Sequence, residues 1–293
     1  MSEEAFTGGS LLARVITWAN ARPDVHAVLL VGSQARSDHP ADEFSDIDVV
    51  LSVDDPAVFL DHDEWLAEIA PVICDVVEPT AIGGMSERRV LFASGQDVDF
   101  SIVPVEMMRL LGDFKDLHEV RALLGRGARL LVDELEIADE IDAVVPPEPD
   151  SGLLSASEYR ALSCGFWYQL IVATRKWRRG ELWVAISSCE GRLTSATIEM
   201  ARWWTTLRRP STDTWHGARF IEEWLDPTVL GALAATRTGY GAAEIRLSLD
   251  RLAALFRKLE TECREMSGYE PAVDDAEVQR LFRTLTSSGD PPA

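Results

Sequence analysis

The sequence is short of cysteine, of basic residues and of long apolar runs, and each shortage removes a class of protein. Its four cysteines, Cys74, Cys164, Cys189 and Cys263, form no C-x-x-C pair and have no histidine at zinc-ligand spacing. That argues against a disulfide framework or a structural zinc, and reads them as reduced thiols, most of them in the core. The five histidines, His26, His39, His62, His118 and His216, show no triad-like spacing to Ser or Cys. Only 28 Lys and Arg stand against 49 Asp and Glu, a net charge of −21. Such a chain repels a nucleic acid backbone or an anionic membrane and attracts cations. No apolar run reaches the ~20 residues of a membrane span. The opening MSEEAFTGGS has neither the basic start nor the apolar stretch of a signal peptide, so the expectation is a cytoplasmic protein without nucleic-acid or membrane partners. Both common phosphate-binding fingerprints, G-x-G-x-x-G and Gly-Lys-Ser/Thr, are missing as well.

What is present fits a soluble chain of two domains: 293 residues, 46% apolar and 26% charged. The charge is unevenly placed. Residues 1–150 hold 10 Lys and Arg against 31 Asp and Glu, whereas residues 151–293 hold 18 of each. Short apolar runs at 25–31, 47–53, 72–77, 89–93 and 98–103 read as strands, the last two joined by the hairpin signal Ser94-Gly95-Gln96-Asp97, with 128–132 as an added edge strand. Helical patterns at 11–21, 57–70, 105–111 and 117–124 interleave with them. The expected first domain, residues 1–145, is therefore an α/β (α+β) unit on a mixed sheet of about five strands. The Pro-rich stretch 144–152 is the linker-like segment. After it strand patterns vanish, and residues 151–293 read as an all-α bundle with helices near 155–179, 182–206, 217–225, 228–238, 242–266 and 275–285. Seven of the nine tryptophans fall there and read mostly as core.

The chemistry concentrates in residues 28–53, VLLVGSQARSDHPADEFSDIDVVLSV. Alternate side chains of a strand share a face, so Asp46 and Asp48 project together while Ile47, Val49 and Leu51 turn to the core. Two carboxylates about 4 Å apart repel by roughly 4 kcal/mol at an effective dielectric of about 20. A divalent cation removes that cost, and all-oxygen ligation favours Mg²⁺ or Mn²⁺ over zinc. Asp97 and Asp99 alternate with Val98, Phe100 and Ile102 in the same way; if that strand lies beside the first, one of them completes a three-carboxylate site suited to phosphoryl or nucleotidyl transfer. Gly32-Ser33, just after a strand, offers close backbone approach, exposed N–H groups and a hydroxyl to a phosphate. Taken singly, a Gly-Ser is an ordinary turn and Asp-x-Asp a solvated one; the conjunction carries the reading.

Gly32-Ser33, then Asp46-Ile47-Asp48, then Asp99-Phe100-Ser101-Ile102-Val103-Pro104 resembles the aminoglycoside 6-adenylyltransferases (streptomycin adenylyltransferases) of the nucleotidyltransferase superfamily. Asp42 through Asp48 is close to that family's own wording, and the likeness is more diffuse over 166–183 and 219–240. The resemblance implies Mg²⁺ on Asp46 and Asp48, ATP phosphates on Gly32 and Ser33, and Asp99 as third ligand or as the base for the acceptor hydroxyl. It implies transfer of AMP from ATP to a small cationic acceptor, an aminoglycoside such as streptomycin, with pyrophosphate released and antibiotic resistance as the outcome. The alternatives are another acceptor (a lincosamide, a metabolite or a protein hydroxyl) or a catalytically silent nucleotide-binding regulator. Gln34 departs from the arginine usual after Gly-Ser, with Arg36 as a substitute. Arg175 and Lys176, in the densest basic cluster of the chain, are candidate phosphate contacts; the same residues also suit a helix C-terminus. Glu87, Glu181, Glu222 and Glu223 are unranked candidates for the acceptor, and the site is expected in a cleft between the domains.

Overall fold

The computed structural model describes residues 10–36, 41–80, 85–114, 118–125, 127–145, 153–210, 212–214 and 216–287. Most of the linker-like segment 144–152, together with His39 and Trp215, lies outside them. The chain divides into two compact units, Met1–Pro147 and Glu148–Ala293.

In the first unit, α1 (Leu11–Asn20) starts at Ser10, whose hydroxyl accepts from the Ala13 amide, and buries Leu11, Val15, Trp18 and Ala19. Six strands follow among the described residues: β1 (Val25–Val31), β2 (Ile47–Val53), β3 (Val72–Pro79), β4 (Ser86–Phe92), β5 (Asp97–Pro104) and β6 (Arg129–Asp133). They form one mixed sheet in the order β3-β4-β5-β2-β1-β6. The sheet thus has one strand more than the first five apolar runs, and the sixth is the edge strand expected near 128–132. β1 pairs antiparallel with β2, β4 antiparallel with β5, and β2 parallel with β5.

Strand alternation splits the core in two. Val28, Leu30, Val49, Leu51, Phe100 and Ile102 face a cluster that includes Val15 and Trp18 of α1, Phe59 of α2 (Pro56–Leu60) and Leu66 of α3 (Leu66–Ile69). Ala27, Leu29, Val31, Val50 and Val103 face the opposite cluster, which includes Met108 of α4 (Val105–Arg109), Leu111 of α5 (Leu111–Phe114), Leu124 of α6 (His118–Leu124) and Ile141 of α7 (Ala138–Asp142). The helix expected over 57–70 is two short ones, because the carbonyls of Phe59 and Leu60 accept from the buried Arg88 guanidinium and the Phe59 and His62 carbonyls from the Trp65 indole. These bonds fix an irregular Asp61–Trp65 stretch that periodicity alone reads as helix. The single helix expected over 105–111 is likewise divided, into α4 and α5.

Among its described residues the second unit holds helices joined by loops and no strand. It comprises α8 (Ala156–Arg178), α9 (Leu182–Ser188), a π-helical turn (Cys189–Leu193), α10 (Thr194–Arg208), α11 (Ile221–Trp224), α12 (Pro227–Ala234), α13 (Ala242–Ser267) and α14 (Asp275–Thr286). The capping box Ser155/Glu158 starts α8 and Gly268, at φ 75°, ends α13. Inside the bundle the buried Glu260 carboxylate accepts from Tyr159 at 3.1 Å, from Trp167 at 3.0 Å and from Ser163, so its charge is met by three donors. Residues 217–225 are not one helix: positive φ at Gly217, Ala218 and Phe220 breaks the path before α11. Four of the tryptophans, Trp167, Trp177, Trp203 and Trp224, are deeply buried, but Trp183 is not. No helix among the described residues is long and apolar enough to cross a membrane.

Candidate active site

Three carboxylates meet at one end of the central strands. β2 and β5 run side by side in register, with Asp48 opposite Asp99 and Ile47 opposite Val98. Asp48 and Asp99 share the sheet face of Val50, and Asp46 stands one residue before β2. One carboxylate oxygen from each of Asp46, Asp48 and Asp99 lies within 4.8 Å of the others, and all three residues are half-buried. The loop before them is held locally: the Ser45 hydroxyl and the Phe44 amide donate to Asp42 Oδ1 at 2.9 and 3.0 Å, and the Asp42 amide donates to Ser45 Oγ at 3.0 Å. This reciprocal turn sets the approach of the chain to Asp46.

The phosphate-binding candidates lie on the neighbouring strand end. Val31, the last residue of β1, is paired with Asp48, and Gly32 opens a short 3-10 turn, Gly32–Ala35. Gly32 has φ +64°, and a Cβ there would stand 1.9 Å from Asp48 Oδ2. Glycine is thus required twice, for its left-handed backbone and for the space the carboxylate occupies. The Ser33 hydroxyl is buried and has no hydrogen-bond partner, a state whose cost an incoming acceptor atom relieves. The turn is backed by Gly127, φ +136°, where a Cβ would come within 2.6 Å of the Ala35 carbonyl oxygen. Arg36 follows the turn in extended conformation.

The electrostatics of the triad suit a bound cation. Burial, followed by Glu87, Asp46 and Asp97, pushes the Asp99 carboxyl up to about 6 in spite of the opposing Arg89 guanidinium. Arg89 is the residue that sequence reasoning missed. It lies opposite Asp99 across β4 and β5, with Nε 3.3 Å from Asp99 Oδ2 and Nη2 2.6 Å from Glu87 Oε1, and it also reaches Glu78 at 2.8 Å. Its signal in the sequence, the adjacent Arg88-Arg89, does not say which arginine faces which side; Arg88 goes to the opposite core. Oxygen donors only, converging charge and an orphaned hydroxyl beside them fit a hard divalent cation carrying a phosphate ligand.

A cation must displace the proton, so its affinity rises as pH passes upward through the Asp99 pKa. For the metal-free protein the sign is opposite. The folded state holds a proton that the unfolded chain releases near the ordinary range, so this group's contribution to stability falls as pH rises from about 4 to above 6. Mn²⁺ titrations should show binding about tenfold weaker at pH 5 than at pH 7.5, with close to one proton released per ion bound at pH 5 and almost none at pH 7.5; equal affinities would remove Asp99 from the ligand set.

Of the remaining sequence candidates, Arg175 and Lys176 belong to the last turn of α8 in the second unit. Arg175 is exposed, while the Lys176 ammonium is 2.7 Å from Glu181, which also holds Arg179 at 2.7 Å. Glu222 and Glu223 lie in the first turn of α11.

A family model described as streptomycin adenylyltransferase matches residues 7–284, nearly the whole chain. No curated protein matches. Among solved structures, an aminoglycoside 6-adenyltransferase from Bacillus subtilis aligns over 95% of this chain and 98% of its own, at 19% identity and TM-score 0.46. A nucleotidyltransferase-like protein from Exiguobacterium sibiricum aligns over 95% and 89%, at 13% identity and TM-score 0.33.

Proposed function

The chain belongs to the streptomycin adenylyltransferase family, a family of nucleotidyltransferases, and from that premise we propose that it transfers AMP from ATP to a hydroxyl of a cationic aminoglycoside such as streptomycin, releasing pyrophosphate. The observation that carries the reading is the convergence of Asp46, Asp48 and Asp99 beside the Gly32–Ala35 turn. Asp46, Asp48 and Asp99 would hold a Mg²⁺ ion, whose chemistry when bound would be to offset the negative charge of the triphosphate and of the pyrophosphate leaving group. Gly32 keeps the backbone beside Asp48 clear of a side chain, and Ser33 offers its hydroxyl to a phosphate oxygen. Arg36, just after the Gly32–Ala35 turn, is a further proposed phosphate contact. Asp99 serves as third ligand; as a free carboxylate it would instead take the proton of the acceptor hydroxyl. A cation-bound carboxylate is a weak base, so the two roles exclude each other, and its place with Asp46 and Asp48 favours ligation. The net charge of −21 favours an acceptor with several positive charges.

Incubation with ATP, Mg²⁺ and a panel of acceptors should release pyrophosphate with streptomycin and give an adduct heavier by one adenylyl group. Release only with a lincosamide or another acceptor that is not an aminoglycoside would overturn the aminoglycoside assignment. Nucleotide binding without release on any acceptor would overturn the enzyme and leave a regulator.

A further inference from the structure

Among the exposed aromatic side chains of the second unit, which include Tyr168 and Phe220, two stand against each other. Trp183, in the first turn of α9, is 71% exposed and Tyr240 is 63% exposed, yet their rings stand together with centroids 6.0 Å apart and planes tilted by 56°. The unit buries other tryptophans completely, so an exposed pair at this spacing is a surface feature with its own requirement.

The surrounding chain holds the pair in place. Tyr240 sits between Gly239 and Gly241, and a Cβ on either glycine would come within 2.6 Å of the Glu244 carboxylate. The glycines therefore let Glu244 fold back against the loop on both sides of the tyrosine. Glu190, seven residues after Trp183 and inside the π-helical turn, pairs with Arg237 and accepts from the Thr238 amide at 3.2 Å. One carboxylate thus ties the segment that follows Trp183 to the loop that carries Tyr240. The base of that loop is fixed by the Ser248 hydroxyl, which donates to the Thr236 carbonyl at 2.6 Å. Irregular π-helical turns of this kind recur at functional positions. Glu190 is committed to Arg237 and Thr238; Glu244 is not. Its side chain is exposed and has no hydrogen bond or ion pair among the described residues.

We propose that Trp183, Tyr240 and Glu244 form a recognition site for an organic cation, an ammonium or guanidinium group carried on a ring. On the adenylyl-transfer reading, from which this assignment to a reaction partner follows, that cation belongs to the acceptor. The negative faces of two aromatic rings attract a cation within about 6 Å, and the uncommitted Glu244 carboxylate supplies the counter-charge. The same carboxylate disfavours a triphosphate, which separates this site from the nucleotide.

The test is calorimetric titration of the full chain with streptomycin, a bis-guanidinium compound, at low and high salt, on the wild type and on Trp183→Ala, Tyr240→Ala and Glu244→Gln. Each aromatic replacement is expected to raise Kd about tenfold and Glu244→Gln several-fold, with unchanged thermal unfolding because all three side chains are exposed. In turnover assays the KM for the acceptor should rise in parallel while the KM for ATP stays. Wild-type affinity in the aromatic variants, or no binding of streptomycin to the wild type, overturns the site. If the wild type binds through these residues but releases no pyrophosphate, the site stands and the proposed reaction falls. If it transfers AMP and the variants keep the acceptor KM, the reaction stands and the site falls.

Discussion

Replacing Asp48 by Asn is expected to lower turnover by at least about 10³-fold, which corresponds to about 4 kcal/mol of lost charge stabilisation at the reacting phosphate. Asp48 links the two halves of the site: it pairs with Val31 on β1 and with Asp99 on β5, and its carboxylate lies directly over Gly32. The amide of asparagine keeps the shape and removes the charge. The metal-free variant should therefore keep its fold and unfold close to the wild type, because the asparagine side chain fills the same space. What should disappear is the rise in Tm on adding Mg²⁺. Calorimetric scans with and without Mg²⁺, beside pyrophosphate-release rates, read both effects. Retained turnover would remove Asp48 from the cation site, whereas loss of the fold in the metal-free variant would assign it a structural role.

Gly32→Ala is expected to cost turnover by about 10²-fold or more although it adds a single methyl group remote in composition from any reacting atom. The new Cβ would lie 1.9 Å from Asp48 Oδ2 and 2.8 Å from its Cγ, closer than atoms can stand, so either the carboxylate leaves the triad or the turn moves and takes the Ser33 hydroxyl with it. A displacement of about 1 Å at a catalytic group is enough for a loss of this size. The left-handed backbone adds a stability cost of about 1–3 kcal/mol. Gly95 provides the control: it has φ +85° but nothing within 4 Å of its Cβ position. Gly95→Ala should show the backbone cost in Tm and leave turnover intact. Equal turnover losses in the two variants would mean that backbone strain, and not the crowding of Asp48, is responsible.

Much of this site was legible as pattern. Period-two alternation places Asp46 and Asp48 on one face of Ile47–Val53, and Ser94-Gly95-Gln96-Asp97 marks the hairpin that carries Asp99. Arg89 and Glu87 were harder to read, because their importance comes from standing opposite Asp99 and Ser101 across β4 and β5, and a strand's own sequence does not name its partner's register. Gly127 was invisible for the same reason: its demand comes from the Ala35 carbonyl, some ninety residues earlier in the chain. Trp183 read as core because an aromatic at helical spacing carries no record of which way its face turns.

By itself the sequence determined the character of each segment. Local backbone and side-chain preferences act over a few residues, and they were enough to mark out the α/β half, the helical half, the Gly-Ser turn and the two acidic strands. Only the tertiary structure decided what those pieces meet. The parallel pairing of β2 with β5 brings Asp48 to Asp99 across about fifty residues of chain, and the antiparallel pairing of β1 with β2 sets Gly32 beneath Asp48. Those contacts arise because a sheet buried on both faces admits one register that keeps Val28, Val49 and Phe100 on one side and Leu29 and Val50 on the other, and a slip of one residue would turn every one of them over. The hydrophobic pairing of the strands chose the register, and the register assembled the acidic site.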